Sequence, residues 1–126
     1  QKYVESIPLN NRFQISSVWG NINGYKDFNM PHTHGHSVIS GIYYLKTPTN
    51  CGRLCFYNPA QEGIGYLWLS CIKKFTTQNS PVWKIDVKEG DLILFPSWLK
   101  HGVDPNLNKK EDRISLAFNI SLFTQV

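Results

Sequence analysis

Three histidines fall within five residues, in Pro31-His32-Thr33-His34-Gly35-His36, and a fourth, His101, stands alone far downstream. Imidazoles at positions i and i+2 of an extended segment project from the same face, because strand side chains alternate. His32 and His34 satisfy that spacing, and so do His34 and His36. Either pair, joined by His101 from a neighbouring strand, closes one triangular face of an octahedral metal and leaves the opposite face open. Neutral imidazole suits iron, copper, nickel and zinc, and an open face signals chemistry rather than structural support. His36 abuts Ser37-Val38, where a β-rich segment begins, so His32 and His34 are the preferred pair and His34 with His36 the alternative. The competing reading is a polar surface loop. The Gly and Thr between the histidines, and the β-rich segment that follows them, weigh against it.

Such a site needs a rigid β frame, and the chain is punctuated like one. Turn-rich clusters occur at 21–24, 47–52, 58–65, 78–81, 89–90 and 104–108. Between them lie segments rich in β-branched and aromatic residues, at 13–19, 38–45, 53–57, 66–75, 82–87, 91–95 and 113–123. About seven strands at this spacing predict an all-β sandwich or barrel. No long window carries apolar residues at a 3.6 period. Only the first ten residues and the stretch around Gln61 leave room for a short helix.

Bulk properties agree with one domain over residues 1–126, with further chain before Gln1 left open because Gln1 is not a start methionine. A content of 41% hydrophobic and 17% charged residues is that of a globular chain with a real core. No run approaches the ~18 apolar residues a membrane helix needs. The net charge of +4 is spread along the chain, and Lys73-Lys74 and Lys109-Lys110 are its only basic doublets, which argues against nucleic acid as a partner. Cys51, Cys55 and Cys71 make an odd count without a signal-like segment. That predicts free thiols and a cytoplasmic, reducing location.

The last strand carries a second chemical signal. Arg113, Ser115, Ala117 and Asn119 share one face, while Ile114, Leu116, Phe118 and Ile120 share the other. The polar face either meets water or lines the mouth of the barrel, and the position of His101 just upstream favours the mouth. Arg suits a carboxylate, because its planar fork binds one bidentately. Tyr44 is in phase with His32 and His34 if strand pairing is regular, and Tyr43 then points away. Trp19, Asn21 and Asn23 precede the histidines, where they either help close the substrate side or, for the asparagines, serve a turn.

Taken in order, these blocks resemble the 2-oxoglutarate- and Fe(II)-dependent oxygenase superfamily, with the nearest likeness to uncharacterised oxygenases of bacteria and marine phages. The likeness runs from Trp19 to Asn119. His32-Thr33-His34 stands where the superfamily carries His-x-Asp/Glu. Ser40-Gly41-Ile42-Tyr43-Tyr44-Leu45 is similar to the following strand, whose tyrosine touches 2-oxoglutarate. Gly52-Arg53-Leu54 matches the next block, Glu89-Gly90-Asp91 through Pro96 leads to the distal histidine, and Arg113-Ile114-Ser115 matches Arg-x-Ser. The resemblance implies a double-stranded β-helix, a cupin-like jelly roll. It implies Fe(II) on His32, His34 and His101, with 2-oxoglutarate held by Arg113, Ser115 and Tyr44. The implied partners are 2-oxoglutarate and O2, the implied reaction is oxidation of 2-oxoglutarate to succinate coupled to hydroxylation of an unnamed substrate, and the reading leaves room for a homodimer.

One position departs from the pattern. Histidine replaces the carboxylate ligand, which leaves the metal centre one unit more positive. Asp27 and Asp104 are the carboxylates nearest in sequence, and neither is at the i+2 position. The departure favours a rival from another class, a cupin-like three-histidine metal module without 2-oxoglutarate chemistry. Arg113-Ile114-Ser115 favours the oxygenase.

Overall fold

A computed structural model describes residues 12–60 and 69–123. Eight strands run in the order β1 (Arg12–Asn23), β2 (Asn29–His32), β3 (Ile39–Lys46), β4 (Leu54–Tyr57), β5 (Val82–Ile85), β6 (Leu92–Pro96), β7 (His101–Val103) and β8 (Arg113–Phe123). They form two four-stranded sheets, β1-β8-β3-β6 and β2-β7-β4-β5, with antiparallel pairing throughout. Consecutive strands alternate between the sheets through much of the chain, as a jelly roll requires. The core between the sheets is built from Ile42, Tyr44, Phe95 and Ala117 of the larger sheet and Leu54 of the smaller, with Trp19, Phe56 and Val103 packed at its margin.

The register of the larger sheet determines what faces inward. Asn119, Ala117, Ser115 and Arg113 of β8 pair with Ser17, Trp19, Asn21 and Asn23 of β1. On the other side Asn119, Ala117 and Ser115 pair with Ser40, Ile42 and Tyr44 of β3. On β8 this face is the more buried one: Arg113 is 1% exposed and Ser115 5%, whereas Leu116 on the opposite face is 37% exposed. The polar face of β8 therefore points inward and its apolar face outward, the reverse of an ordinary half-exposed strand. Ile15, Val18, Ile22 and Leu92 are also exposed.

Two strands escape a propensity reading. β2 and β7 are short, and β2 contains Pro31. It tolerates that proline because it is an edge strand, where a missing N–H costs no ladder bond. The stretch 66–75 departs from the strand expected there. Its described part opens with a 3-10 turn at Leu69–Cys71 and continues without regular structure, and 66–68 lie outside the described residues. It runs into a turn in which Thr76 and Asn79 bond each other locally. The helices expected near the N-terminus and at Gln61 lie outside the described residues. Cys51, Cys55 and Cys71 are all unpaired. Among the described residues no helix is long and apolar enough to cross a membrane.

Candidate metal centre and anion pocket

His32 ends β2 and His101 begins β7, and the two pair directly across the ladder. Gly102 makes that approach feasible, since a Cβ there would come within 2.8 Å of the Asn29 carbonyl oxygen and 3.2 Å of the Pro31 nitrogen. His34 lies beyond the end of β2, but its backbone N–H donates to the Ser97 carbonyl at 3.0 Å. That bond fixes it against the turn leading to His101. The three rings converge, with centroids 5.0 Å apart for His32 and His34, 4.4 Å for His32 and His101, and 5.2 Å for His34 and His101. One nitrogen from each lies within 4.8 Å of the others. His36 is exposed and stands outside the cluster, in a shallow surface depression.

The ring orientations suit ligation. His32 Nδ1 lies 2.7 Å from the Met30 carbonyl and His101 Nδ1 lies 2.9 Å from that of Leu99. Each carbonyl takes a proton on Nδ1 and so leaves the Nε2 lone pair free for a metal. Both acceptors are backbone atoms two residues upstream, which no side-chain pattern could have announced. Burial holds His101 down to about 4, the neighbouring His32 and His34 pushing the same way, and the Leu99 carbonyl opposing. His34 is also lowered, by burial and then by His32. His34 and His101, held neutral in this way, are ready to accept a cation.

No carboxylate joins the group among the described residues. Asp27 accepts from the Gly24 N–H at 2.8 Å, and Asp104 is engaged by Lys84 at 3.0 Å and by Arg53 at 3.8 Å. Both are committed elsewhere. Among the described residues the ligand set is therefore all imidazole.

A cavity between the sheets joins the histidines to Arg113, Tyr44 and Ser115, and its walls include Trp19, Asn21 and Asn23. Arg113 lies six residues from Asn119 on β8, roughly 20 Å at about 3.3 Å per residue. The histidines crowd the Asn119 end, and side chains from both ends narrow the span. Arg113 Nη1 donates to the Cys51 carbonyl and, at 3.2 Å, to that of Asp104. Gly52 permits this seat: its φ is +87°, and a side chain there would strike the Asp104 carbonyl. Arg113 Nη2 and the Tyr44 hydroxyl are buried with no hydrogen-bond partner.

Two unsatisfied polar groups in one buried cavity are costly unless a ligand meets them. Burial raises the Tyr44 phenol despite the opposing pull of Arg113, so Tyr44 stays a neutral donor. Burial likewise draws Arg113 down, and among the described residues it forms no ion pair. A buried cation without an anion beside a neutral donor has the chemistry to receive a carboxylate.

The fold has counterparts among solved structures. An oxidoreductase of the 2OG-Fe(II) oxygenase family from Burkholderia pseudomallei superposes with a TM-score of 0.69 at 14% identity, over 94% of this chain and 50% of its own length. A prolyl-4-hydroxylase from Pseudomonas putida gives 0.63 at 16%, over 95% of this chain and 58% of its own. HygX from Streptomyces hygroscopicus, solved with nickel and 2-oxoglutarate bound, gives 0.64 at 12%, over 95% and 62%. The chain thus spans only half to three-fifths of the length of these structures. No protein of curated function matches it by sequence. A model of the family described as "Putative 2OG-Fe(II) oxygenase" matches residues 17–119, most of the chain, and this protein belongs to that family of 2-oxoglutarate- and Fe(II)-dependent oxygenases, whose fold is the double-stranded β-helix.

Proposed function

We propose that this chain is the catalytic jelly roll of a 2-oxoglutarate- and Fe(II)-dependent dioxygenase that hydroxylates its substrate. His32, His34 and His101 would hold Fe(II), His32 and His101 through Nε2. Arg113 Nη2 and the Tyr44 hydroxyl receive the distal carboxylate of 2-oxoglutarate, and Ser115, between Tyr44 and Asn21 in the sheet, adds its hydroxyl to the same seat. When bound, iron supplies oxygen activation, with 2-oxoglutarate and O2 as the cosubstrates consumed. The chain's own residues do the positioning. The carbonyls of Met30 and Leu99 keep two ligands in the metal-binding tautomer, the Cys51 and Asp104 carbonyls aim the guanidinium, and Phe95, whose ring lies 4.5 Å from that of His101, keeps water from that ligand.

The observation that carries this reading is the pair of orphaned donors, Arg113 Nη2 and Tyr44 hydroxyl, in the cavity that also contains the three histidines. A three-histidine cupin-like module would need the metal site but not a buried, unpaired guanidinium. Metal analysis of protein purified without oxygen, followed by calorimetric titration with 2-oxoglutarate, separates the two. Metal retention with no 2-oxoglutarate binding would decide for the module. A cytoplasmic, reducing setting is supported by the three unpaired cysteines. Self-association as a homodimer is supported by the exposed apolar residues on the outer face of the larger sheet.

A further inference from the structure

Of the three histidines, only His34 has a side chain rather than a carbonyl at its Nδ1. Asn119 Nδ2 lies 3.4 Å from that nitrogen. The same carboxamide contacts Ser17 Oγ at 3.2 Å through Nδ2, and its Oδ1 accepts from Ser40 Oγ at 2.8 Å. Ser40 in turn shares a 2.9 Å bond with the fully buried Ser97, in which either hydroxyl can donate. Asn119 thus sits between a metal-site imidazole and hydroxyls whose protons can turn.

An amide N–H facing Nδ1 places the imidazole proton on Nε2, and that removes the lone pair a metal needs. Turning the carboxamide over keeps all three of its own contacts with the roles reversed. Oδ1 then accepts from His34 Nδ1–H and from Ser17, while Nδ2 donates to Ser40, which donates on to Ser97. We propose that Asn119 is a positioning residue for the metal centre: its carboxamide oxygen faces His34 Nδ1–H and fixes His34 as an Nε2 ligand. This inference rests on the metal-site reading above and deepens it. His34 stands at the position where the wider superfamily's pattern has an anionic ligand. Asn119 is therefore the chain's point of control over how electron-rich that neutral replacement is, since the acceptor on Nδ1 tunes the basicity of Nε2.

The test uses Asn119→Leu, of similar size but without an acceptor, and Asn119→Asp, which puts a carboxylate on Nδ1–H. Zinc affinity is measured by chelator competition, imidazole tautomers by long-range proton–nitrogen NMR of the zinc-loaded protein, and the Fe(III)/Fe(II) potential by titration of the iron-loaded protein. Asn119→Leu should bind zinc roughly 10- to 100-fold more weakly. Asn119→Asp should bind at least as tightly as the unaltered protein. It should also favour Fe(III) over Fe(II) by about tenfold more, a drop of about 59 mV for one electron. A role in packing alone would weaken both variants and leave the potential in place, which would overturn the proposal. An Nε2-protonated His34 in the zinc-loaded unaltered protein would overturn it without any variant. Should the unaltered protein bind no metal, the site reading itself fails; should it bind metal while both variants match it, only the role of Asn119 fails.

Discussion

The sharpest test of the proposed carboxylate seat is the replacement of Arg113 by lysine. Arg113 is 1% exposed and does two jobs with different nitrogens. Nη1 holds the loop carbonyls of Cys51 and Asp104, and Nη2 is left for the ligand. Arg113→Ala removes both functions. Two bonds from a charged donor are worth about 1.5–3 kcal/mol each, against about 5–15 kcal/mol for a whole domain, so that variant confounds folding with binding. Breaking one side of a buried charge pair costs about 2–5 kcal/mol, or roughly thirtyfold to several-thousandfold in affinity. Arg113→Lys keeps the charge but cannot serve the carbonyls and a carboxylate together, because an ammonium has no fork. It should bind 2-oxoglutarate roughly thirty- to a hundredfold more weakly, at the lower end of that range. The assay is calorimetric titration of 2-oxoglutarate into nickel-loaded protein, beside succinate formation in air with Fe(II). A lysine variant that melts like the unaltered protein yet binds 2-oxoglutarate with undiminished affinity would refute the seat.

Further expectations follow from the same geometry. His34→Ala and His101→Ala should each lower bound metal to near background while His36→Ala retains most of it, as read by metal analysis of purified protein; loss in the His36 variant alone would favour the His34/His36 pair. His101 is held near 4 against an ordinary value of 6.5, so between those values the unfolded chain binds a proton that the folded chain refuses. Stability of chelator-treated protein should be full above about pH 6.5 and fall toward pH 4, by up to about 3 kcal/mol at 1.36 kcal/mol per unit, and urea unfolding curves that do not shift with pH would contradict this. Gly102→Ala should cost about 1–3 kcal/mol by forcing β7 away from Asn29 and Pro31, and should weaken metal binding through His101, visible as a lower melting temperature together with lower zinc affinity. Three thiols should react under denaturing, non-reducing conditions; a count of one would mean a disulfide.

Much of the site is legible in the chain because its signals are local. The i, i+2 spacing of His32 and His34 survives any detail of packing, since extended backbone alternates wherever it lies. The two faces of β8 are likewise written in sequence, and Arg113, Ser115 and Asn119 do share one wall. What local pattern could not decide is which face turns inward. The apolar row of Leu116 and Ile114 would ordinarily be the buried one, and only pairing with β1 and β3 puts the polar row against the smaller sheet.

The strands that carry two of the histidines were invisible to propensity. β2 and β7 have four and three residues, and they exist because each completes the other's ladder at His32 and His101. The carbonyls of Met30 and Leu99, the seat that Cys51 and Asp104 make for Arg113, and the contact of Asn119 with His34 join backbone or side-chain atoms by folding alone. The last of these spans 85 residues. Sequence determined which residues could hold a metal and a carboxylate; the tertiary structure decided how each is aimed, because hydrogen-bond partners at such separations are set by sheet register and not by spacing along the chain.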